Sequence, residues 1–272
     1  MTAVRDVGEQ EAARLGDLLA RAGFGPTVGG LIAFPRDSPH GDVLVAERGG
    51  RLVGGVCCAS FGKSGWIGAL GVVPEARRRG VGLALAEAAC ERLQERGAET
   101  ILLFATEMGR PLYERMGFEA EGGATAWRGT AGTPRAGARL RSLREADRAA
   151  VRALDERATG ERRDAVLDAL RPLQGVMAEN DDGPAGFALT SPWGAGVGIC
   201  APDPAAGVAL LAAAANGPGT ATVVAPSANS TASDALRHWG FSAASAGDRM
   251  RLGPPVPWRP EMQFGLFNLF WG

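Results

Sequence analysis

The stretch Leu70-Gly-Val-Val-Pro-Glu-Ala-Arg-Arg-Arg-Gly-Val-Gly-Leu83 decides how the first half of this 272-residue chain is interpreted. A short apolar strand runs into Pro74, and an arginine-rich loop with two glycines then opens onto a helix. Glycines let a backbone approach a ligand closely, and the first N–H groups of a helix have no partner inside it. With the helix dipole and the arginine charges, the spacing Arg77-x-x-Gly80-x-Gly82 predicts a site for a pyrophosphate. The alternative is a basic turn between a strand and a surface helix.

The residues after this loop continue the pattern as a helix and a strand. Apolar side chains recur at helical spacing in Val81, Leu85, Ala89 and Leu93. Gly97 is typical of a residue that ends a helix, and the apolar run 101–105 predicts a buried strand. The sequence therefore predicts a strand–loop–helix–strand unit.

This unit resembles the GNAT acyltransferases, which bind acetyl-CoA at such a loop. Their pattern, an apolar strand, x-Pro and then Gln/Arg-x-x-Gly-x-Gly/Ala, is matched here without a gap. A second motif of the family, a short helix that carries a tyrosine and ends in Gly-Phe, is similar to residues 105–118, which include Tyr113 and end in Gly117-Phe118. Two motifs in the right order are more specific than either one alone. The resemblance implies an α/β fold of the GNAT type.

Composition excludes several other classes of protein. The net charge of −1 gives no field that would favour nucleic acid or a membrane, and no apolar run reaches transmembrane length. Charged residues near the start exclude the apolar core of a signal peptide, so we expect a cytoplasmic protein. An excess of arginine over lysine, with much Ala and Gly, indicates a GC-rich bacterial genome. No metal-ligand spacing is present, and we expect no metal and four reduced, buried thiols, at Cys57, Cys58, Cys90 and Cys200.

The chain repeats its plan across a Gly/Pro/Thr-rich linker at residues 129–137. Gly117-Phe118 in the first half has a counterpart in Gly240-Phe241, and the loop after Pro74 has a shorter counterpart after Pro202. We therefore predict two tandem GNAT-like domains, each a mixed, mainly antiparallel sheet flanked by helices. Residues 1–130 form the catalytic domain that binds acetyl-CoA, and residues 138–272 form a degenerate domain with an apolar C-terminal tail.

The second copy lacks the residues that would carry chemistry. Ala205 and Ala206 stand where the first copy has arginines, and Leu236 takes the place of Tyr113. The arrangement resembles a bacterial subgroup of tandem GNAT proteins, whose second domain carries a motif similar to residues 154–163 and whose chains end in an apolar segment similar to 264–272. The second half is thus predicted to shape a substrate site or to serve the architecture.

The family resemblance assigns the binding of acetyl-CoA to particular residues. In the family, the strand before the loop splays from its neighbour and pairs with the pantetheine arm, and the loop amides hold the pyrophosphate. Carried over, the binding residues are Leu70, Gly71, Val72, Arg77, Arg78, Arg79, Gly80, Val81, Gly82, Leu83 and, at a position often held by asparagine, Thr106. Core packing is the alternative for Leu70 and Val72, and a solvated surface position is the alternative for Arg77.

Tyr113 is the only tyrosine and is the predicted catalytic residue. In the family, a tyrosine here protonates the departing thiolate of CoA, and the thiol and phenol pKa values, about 8.5 and about 10, make that transfer useful. The alternative is a tyrosine that packs beneath the Gly-Phe turn. No glutamate lies on the strand before the loop, so the general base stays open among water and Asp37, His40, Glu47, Glu107, Asp155 and Glu156.

The resulting prediction is an N-acetyltransferase. Acetyl-CoA is the co-substrate, and an amine of a small-molecule acceptor attacks it directly, beneath a segment 23–41 that arches over the acceptor site in the family. The alternatives are a protein that uses a longer acyl-CoA, for transfer or decarboxylation, and a non-catalytic CoA-binding module. The aromatic tail is expected to pack on the first domain; completing the core of the second domain, or forming a homodimer interface, are the alternatives.

Overall fold

The structure is a computed structural model that describes residues 2–130, 138–194, 196–216 and 219–272. Most of the predicted linker, residues 131–137, lies outside these described residues. The chain divides into two compact units. The first comprises Met1–Glu119, Met250–Pro255 and Trp271, and the second comprises Ala120–Arg249, Val256–Phe270 and Gly272.

The first unit contains one sheet and its flanking helices. Its elements are β1 (Ala3–Asp6), α1 (Glu9–Leu19), α2 (Val28–Leu31), α3 (Ala33–Asp37), β2 (Gly41–Arg48), β3 (Arg51–Phe61), β4 (Ser64–Val72), α4 (Val81–Glu95), β5 (Thr100–Ala105) and α5 (Arg110–Arg115). The strands follow the order β1-β2-β3-β4-β5, and every pair is antiparallel except β4–β5, which is parallel. This confirms the mixed, mainly antiparallel sheet that the sequence predicts.

Local signals explain where these elements begin and end. The β2–β3 hairpin turns at Gly49 and Gly50, whose φ angles of 57° and 74° suit glycine and match the right-handed twist of the strands. The α-helical part of the first helix ends at Leu19. The chain continues as a π-helical turn, Ala20–Phe24, in which Gly23 has a φ of 111° and breaks the helical path.

Helices cover both faces of the first sheet, and strand glycines let them approach closely. A Cβ atom on Gly65 would lie 2.7 Å from Leu93 of α4, and one on Gly55 would lie 2.9 Å from Leu15 of α1. A Cβ atom on Gly54 would meet Leu85 of α4. Because neighbouring strand residues such as Gly54 and Gly55 point to opposite faces, α4 and α1 lie on opposite faces of the sheet. Each fully buried leucine contributes about 1.5–3 kcal/mol to this core.

The second unit is also α/β. Its elements are β6 (Glu119–Gly129), β7 (Arg139–Ser142), α6 (Arg148–Thr159), α7 (Asp164–Ala169), β8 (Gly175–Asn180), β9 (Gly183–Leu189), β10 (Gly198–Cys200), α8 (Pro204–Ala215), β11 (Ala221–Pro226), α9 (Ser230–His238), β12 (Ser242–Leu252) and β13 (Gln263–Gly265). The first residue of β6, Glu119, and the last residues of β12, 250–252, are assigned to the first unit. Five strands form an antiparallel sheet in the order β13-β10-β9-β8-β7, and β6 pairs antiparallel with β11.

The core of the second unit forms around α8. Leu210 and Leu211 of this helix pack with Ile199, Leu236 and Phe264, all of which are buried. Phe264 and Phe267 are each only 1% exposed and belong to the second unit. For these two rings, the structure favours the alternative in which the apolar segment completes the core of its own domain. Trp271, in contrast, belongs to the first unit and packs on Phe34 at a centroid distance of 5.7 Å. No helix within the described ranges is long and apolar enough to cross a membrane.

Candidate active site

The end of β4 is separated from its neighbour β5. The parallel β4–β5 ladder runs only from Ser64↔Thr100 to Ile67↔Leu103, so residues 68–72 have no ladder partner on that side in the described part of the chain. A bulge adds to this divergence, because the β3–β4 register shifts and Ala69 adopts a φ of 52°. Leu70, Gly71 and Val72 therefore lie on an open strand edge, as the family resemblance predicts.

The backbone of Val72 presents its polar groups to this open edge. Val73 N–H donates to the carbonyl oxygen of Val53 at 3.0 Å, which makes that pair a hydrogen-bonded one. In an antiparallel ladder the next pair, Val72 and Gly54, is then not hydrogen-bonded, so the N–H and C=O groups of Val72 point away from β3. The Val72 carbonyl accepts from Arg77 Nε at 3.0 Å. The backbone N–H of Val72 faces the open edge, where it could polarise the carbonyl of a bound ligand.

The loop after β4 exposes a series of backbone donors. After the 3₁₀ turn Pro74–Ala76, Arg78 and Gly80 both have positive φ angles, 56° and 79°. Gly80 is the residue before α4 and provides no side-chain cap. Among the described residues, the amides of 78–83 donate to no acceptor, and the first bond of the helix is Ala84 N–H to Gly80 O at 3.0 Å. Such a cluster of free amides at a helix N-terminus attracts an anion.

The loop and the open strand edge are neighbours. A Cβ atom on Gly82 would lie 3.7–4.0 Å from the side chains of Leu112, Val72 and Leu70, which is ordinary van der Waals contact. A methyl group would therefore fit at Gly82, in agreement with the Gly/Ala alternative in the family pattern. Val81 is buried and Leu83 is 39% exposed, so of these two only Leu83 presents its side chain to solvent.

The three arginines of the loop have different environments. Arg77 is half-buried, and its Nη2 donates to the carbonyl oxygen of Ala22 at 2.9 Å while Nε holds Val72. It is thus not the solvated surface residue of the alternative interpretation. Arg78 and Arg79 are exposed and form no ion pair with any described residue. Their two charges are available to a ligand at the loop amides.

Tyr113 lies on α5 with only 7% of its surface exposed. Its ring packs edge-on against Phe118 at a centroid distance of 5.5 Å, as the packing alternative predicts. Burial raises the pKa of its hydroxyl above the usual value, and the nearby Cys90 adds to that shift. Tyr113 therefore stays protonated at neutral pH and can donate a proton. Its hydroxyl has no hydrogen-bond partner within the described ranges.

The side chain of Thr106 stabilises the turn before α5. Its Oγ1 accepts from the backbone N–H of Gly109 at 3.2 Å, at the turn before α5. A Cβ atom on Gly109 would lie 3.4 Å from Thr106 Oγ1 and 3.7 Å from the ring of Tyr113. Thr106 and Tyr113, the two predicted site residues, therefore both lie beside Gly109. Thr106 is exposed, so its hydroxyl can also meet a ligand.

The candidate bases are mostly engaged elsewhere. Asp37 pairs with Arg36 at 2.7 Å, which lowers the pKa of Asp37, and Glu47 accepts from Arg5 at 2.9 Å. Asp155 forms a buried pair with Arg163 at 2.6 Å. His40, Glu107 and Glu156 are exposed. The described residues contain no group of three or more His, Cys, Asp or Glu side chains that could hold a metal ion.

The second unit differs at each corresponding position. The carboxylate of Asp203 accepts from Ala206 N–H at 3.0 Å, so the N-terminus of α8 is capped by the chain itself. Leu236 is fully buried at the place of Tyr113. These contacts support the interpretation that the second copy lacks acyl-transfer chemistry.

Comparison with known proteins places both halves in one family. Residues 22–118 match the sequence model of the Acetyltransferase (GNAT) family, and residues 151–265 match that of an Acetyltransferase (GNAT) domain. A search of curated proteins finds no significant match by sequence.

Solved structures share the fold over nearly the whole chain. A Pyrococcus horikoshii protein assigned as an acetyltransferase superimposes with a TM-score of 0.84 and 22% identity, covering 100% of this chain and 96% of that one. A GCN5-related N-acetyltransferase from Sphaerobacter thermophilus gives 0.67 and 15%, with 97% and 96% coverage. A tandem GNAT protein from the clavulanic acid biosynthesis pathway gives 0.64 and 15%, with 94% and 100% coverage. The chain belongs to the GNAT acetyltransferase family and carries two GNAT domains in tandem.

Proposed function

We propose that the first domain transfers an acetyl group from acetyl-CoA to an amine of a small-molecule acceptor. The GNAT family supports the coarser activity, transfer of an acyl group from acyl-CoA to an acceptor. The observation that carries the proposal is the set of unpartnered amides at 78–83, next to the open edge of β4. These amides and the charges of Arg78 and Arg79 fit a pyrophosphate.

The reaction follows from the groups around that edge. The N–H of Val72 polarises the thioester carbonyl, and the neutral amine attacks its carbon. The bond between carbon and sulfur then breaks, and Tyr113 gives its hydroxyl proton to the sulfur. The attacking nitrogen loses a proton to water, and the Tyr113 phenolate recovers a proton from water. A phenol is protonated at neutral pH, so Tyr113 carries its proton before the reaction begins, and the raised pKa makes it a weaker acid than an exposed tyrosine. The engaged carboxylates of Asp37 and Glu47 favour water as the final proton acceptor.

A panel of small amines, incubated with acetyl-CoA and with longer acyl-CoAs, tests this proposal. Release of free CoA thiol should depend on the amine, should be fastest with acetyl-CoA, and should yield an acetylated product by mass spectrometry. Preference for a longer acyl chain, or loss of carbon dioxide, would support the first alternative. CoA binding without turnover on any amine would instead support the non-catalytic module.

A further inference from the structure

The second unit has a cleft laid out like the site of the first, and a strand of the chain itself lies in it. β10 leads to α8 in the second unit as β4 leads to α4 in the first. In the first unit, β4 and β5 pair directly as far as Ile67↔Leu103 and then diverge. In the second unit, the segment 261–267 lies between the corresponding strands β10 and β11.

The β10 side of this cleft is satisfied by backbone pairing. β13 pairs antiparallel with β10 through Ile199↔Gly265 and Cys200↔Gln263. Just beyond β10, Ala201 N–H donates to the carbonyl oxygen of Met262 at 2.9 Å. The segment thus takes the edge that corresponds to residues 68–72 of β4, in the manner of a peptide added to a sheet.

The β11 side is bonded to the same segment. Leu266 N–H donates to the carbonyl oxygen of Val224 at 2.6 Å, and these two residues form a β-bridge. Gly196 N–H, on the way into β10, donates to Phe267 O at 3.0 Å. Backbone groups on both walls are therefore paired with the inserted segment and are not open to another ligand.

Asn229 fixes the segment at the position that corresponds to Thr106. It precedes Leu236 by the same number of residues as Thr106 precedes Tyr113. Its Nδ2 donates to Gln263 O at 2.9 Å and to Glu261 O at 3.1 Å, while its Oδ1 accepts from Ala232 N–H at 2.9 Å. One buried amide thus caps α9 and holds the segment at once.

The N-terminal turn of α8 is closed as well. The ring of Phe264 lies so close to Gly207 that a Cβ atom there would overlap it. The carboxylate of Asp203 already binds the amide of Ala206. An apolar ring and an internal carboxylate therefore cover the helix end whose counterpart in the first unit has free amides.

We infer that residues 261–267 are an internal ligand of the second unit, seated in the cleft that corresponds to the acyl-CoA site of the first. The ligand that this cleft accepts is an extended apolar peptide, bound through its backbone and through the ring of Phe264. The cleft is thereby closed to acyl-CoA, and each chain has one CoA site. The comparison between the two clefts rests on the function proposed for the first domain.

Hydrogen–deuterium exchange of the full chain, with and without CoA, tests the inference directly. The amides of Ala201 and Leu266 should be protected without CoA and should not change by more than about twofold when it is added. Residues 78–83 should exchange rapidly and become protected by CoA. Rapid exchange at Ala201 and Leu266 without CoA, or a change there on adding CoA, would overturn the inference. Failure of 78–83 to respond would instead contradict the proposed function and leave the internal ligand standing.

Two variants separate the cleft contacts from general stability. Asn229→Asp keeps the oxygen that caps α9 but removes the donor to Gln263 and Glu261, and it should raise exchange at Leu266 at least about tenfold. Phe264→Ala should do the same, whereas Phe187→Ala, a comparably buried ring on β9, should lower the Tm without selective exchange at Leu266. Equal exchange at Leu266 in the Phe264 and Phe187 variants would overturn the inference.

Discussion

The side chain of Arg77 joins two parts of the first domain that are far apart in sequence, since its Nε donates to Val72 O at 3.0 Å and its Nη2 to Ala22 O at 2.9 Å. Val72 is the last residue of β4, and Ala22 lies in the π-helical turn after α1. The planar guanidinium binds both carbonyls at once, so the Val72 carbonyl is already engaged within the protein. Arg77 thus positions the strand end whose N–H faces the open edge.

Replacing Arg77 with lysine should weaken CoA binding although the charge is kept. A single ammonium group cannot reproduce the two-pronged contact, and losing a charge-assisted hydrogen bond costs about 1.5–3 kcal/mol, so we expect a Kd raised roughly tenfold or more. Calorimetric titration with CoA measures this. Arg51→Lys, an exposed position on β3, is the control and should bind as the parent does. Equal affinities for both variants would show that the Arg77 contact has no part in binding.

Introducing a carboxylate at Gly80 should abolish CoA binding. Gly80→Glu places a negative charge beside the amides of 78–83, where the pyrophosphate is proposed to lie. Because Gly80 has a φ of 79°, any side chain there is strained, and Gly80→Asn is the matched control, since asparagine tolerates this conformation and carries no charge. We expect CoA affinity to survive in the asparagine variant and to be lost in the glutamate variant. Binding by a folded glutamate variant would refute the assignment of the loop.

The Tyr113→Phe variant should lose turnover but keep CoA binding. General-acid assistance contributes about 10²–10⁴-fold, and phenylalanine preserves the edge-on packing on Phe118. Because burial raises the pKa of Tyr113, the parent enzyme should show no alkaline loss of activity from this group below about pH 10. Steady-state rates between pH 6 and 10 measure both effects. A phenylalanine variant within a few-fold of the parent would mean that water is the proton donor.

Buried thiols should make the protein less stable in alkali. Burial raises the pKa values of Cys58 and Cys90 to about 12 from an ordinary 9.0. Between pH 9 and 12 the unfolded chain loses these protons while the folded chain keeps them, so the free energy of unfolding falls as pH rises, by up to about 1.4 kcal/mol per pH unit for each thiol. Urea unfolding at pH 8, 9 and 10 measures the slope. Cys90→Ala should reduce the slope, and an unchanged slope would contradict the assignment.

Residue identity alone predicts the glycine-containing loop after β4, because glycine permits its local backbone geometry. Gly80 has a φ of 79°, a left-handed conformation that glycine adopts readily. The bulge at Ala69 had no such signal, since alanine rarely adopts a φ of 52° and the strain is supported by its neighbours. The partner of Arg77 at Ala22 could not be predicted either, because it depends on how α1 packs.

The position of β13 beside β10 could not be predicted from the sequence for a related reason. The aromatic residues of 264–272 predict that this segment is buried, but several surfaces could bury it. The choice is made by pairing with β10 and by Asn229, and neither contact is visible in local patterns. The sequence does not identify the general base, and the ion pairs at Asp37 and Glu47 weigh against those two candidates.

Residues late in the chain should be needed for the first unit to fold. Met250–Pro255 belong to this unit, and Thr100 Oγ1 donates to Pro254 O at 2.7 Å. Gly253 has a φ of 100° and lies against Glu99 O, where a Cβ atom would overlap. A chain that ends at Arg135 should therefore be poorly soluble, because it lacks this segment.

A matched pair of substitutions in the full chain tests the same dependence without truncation. Gly253→Ala should lower the Tm by several degrees more than Gly219→Ala, because both glycines have positive φ angles, 100° and 89°, but only Gly253 is crowded. Thermal unfolding followed by circular dichroism measures the difference. Equal Tm losses, together with a soluble chain 1–135 that binds CoA normally, would show that the first unit folds without residues 250–255.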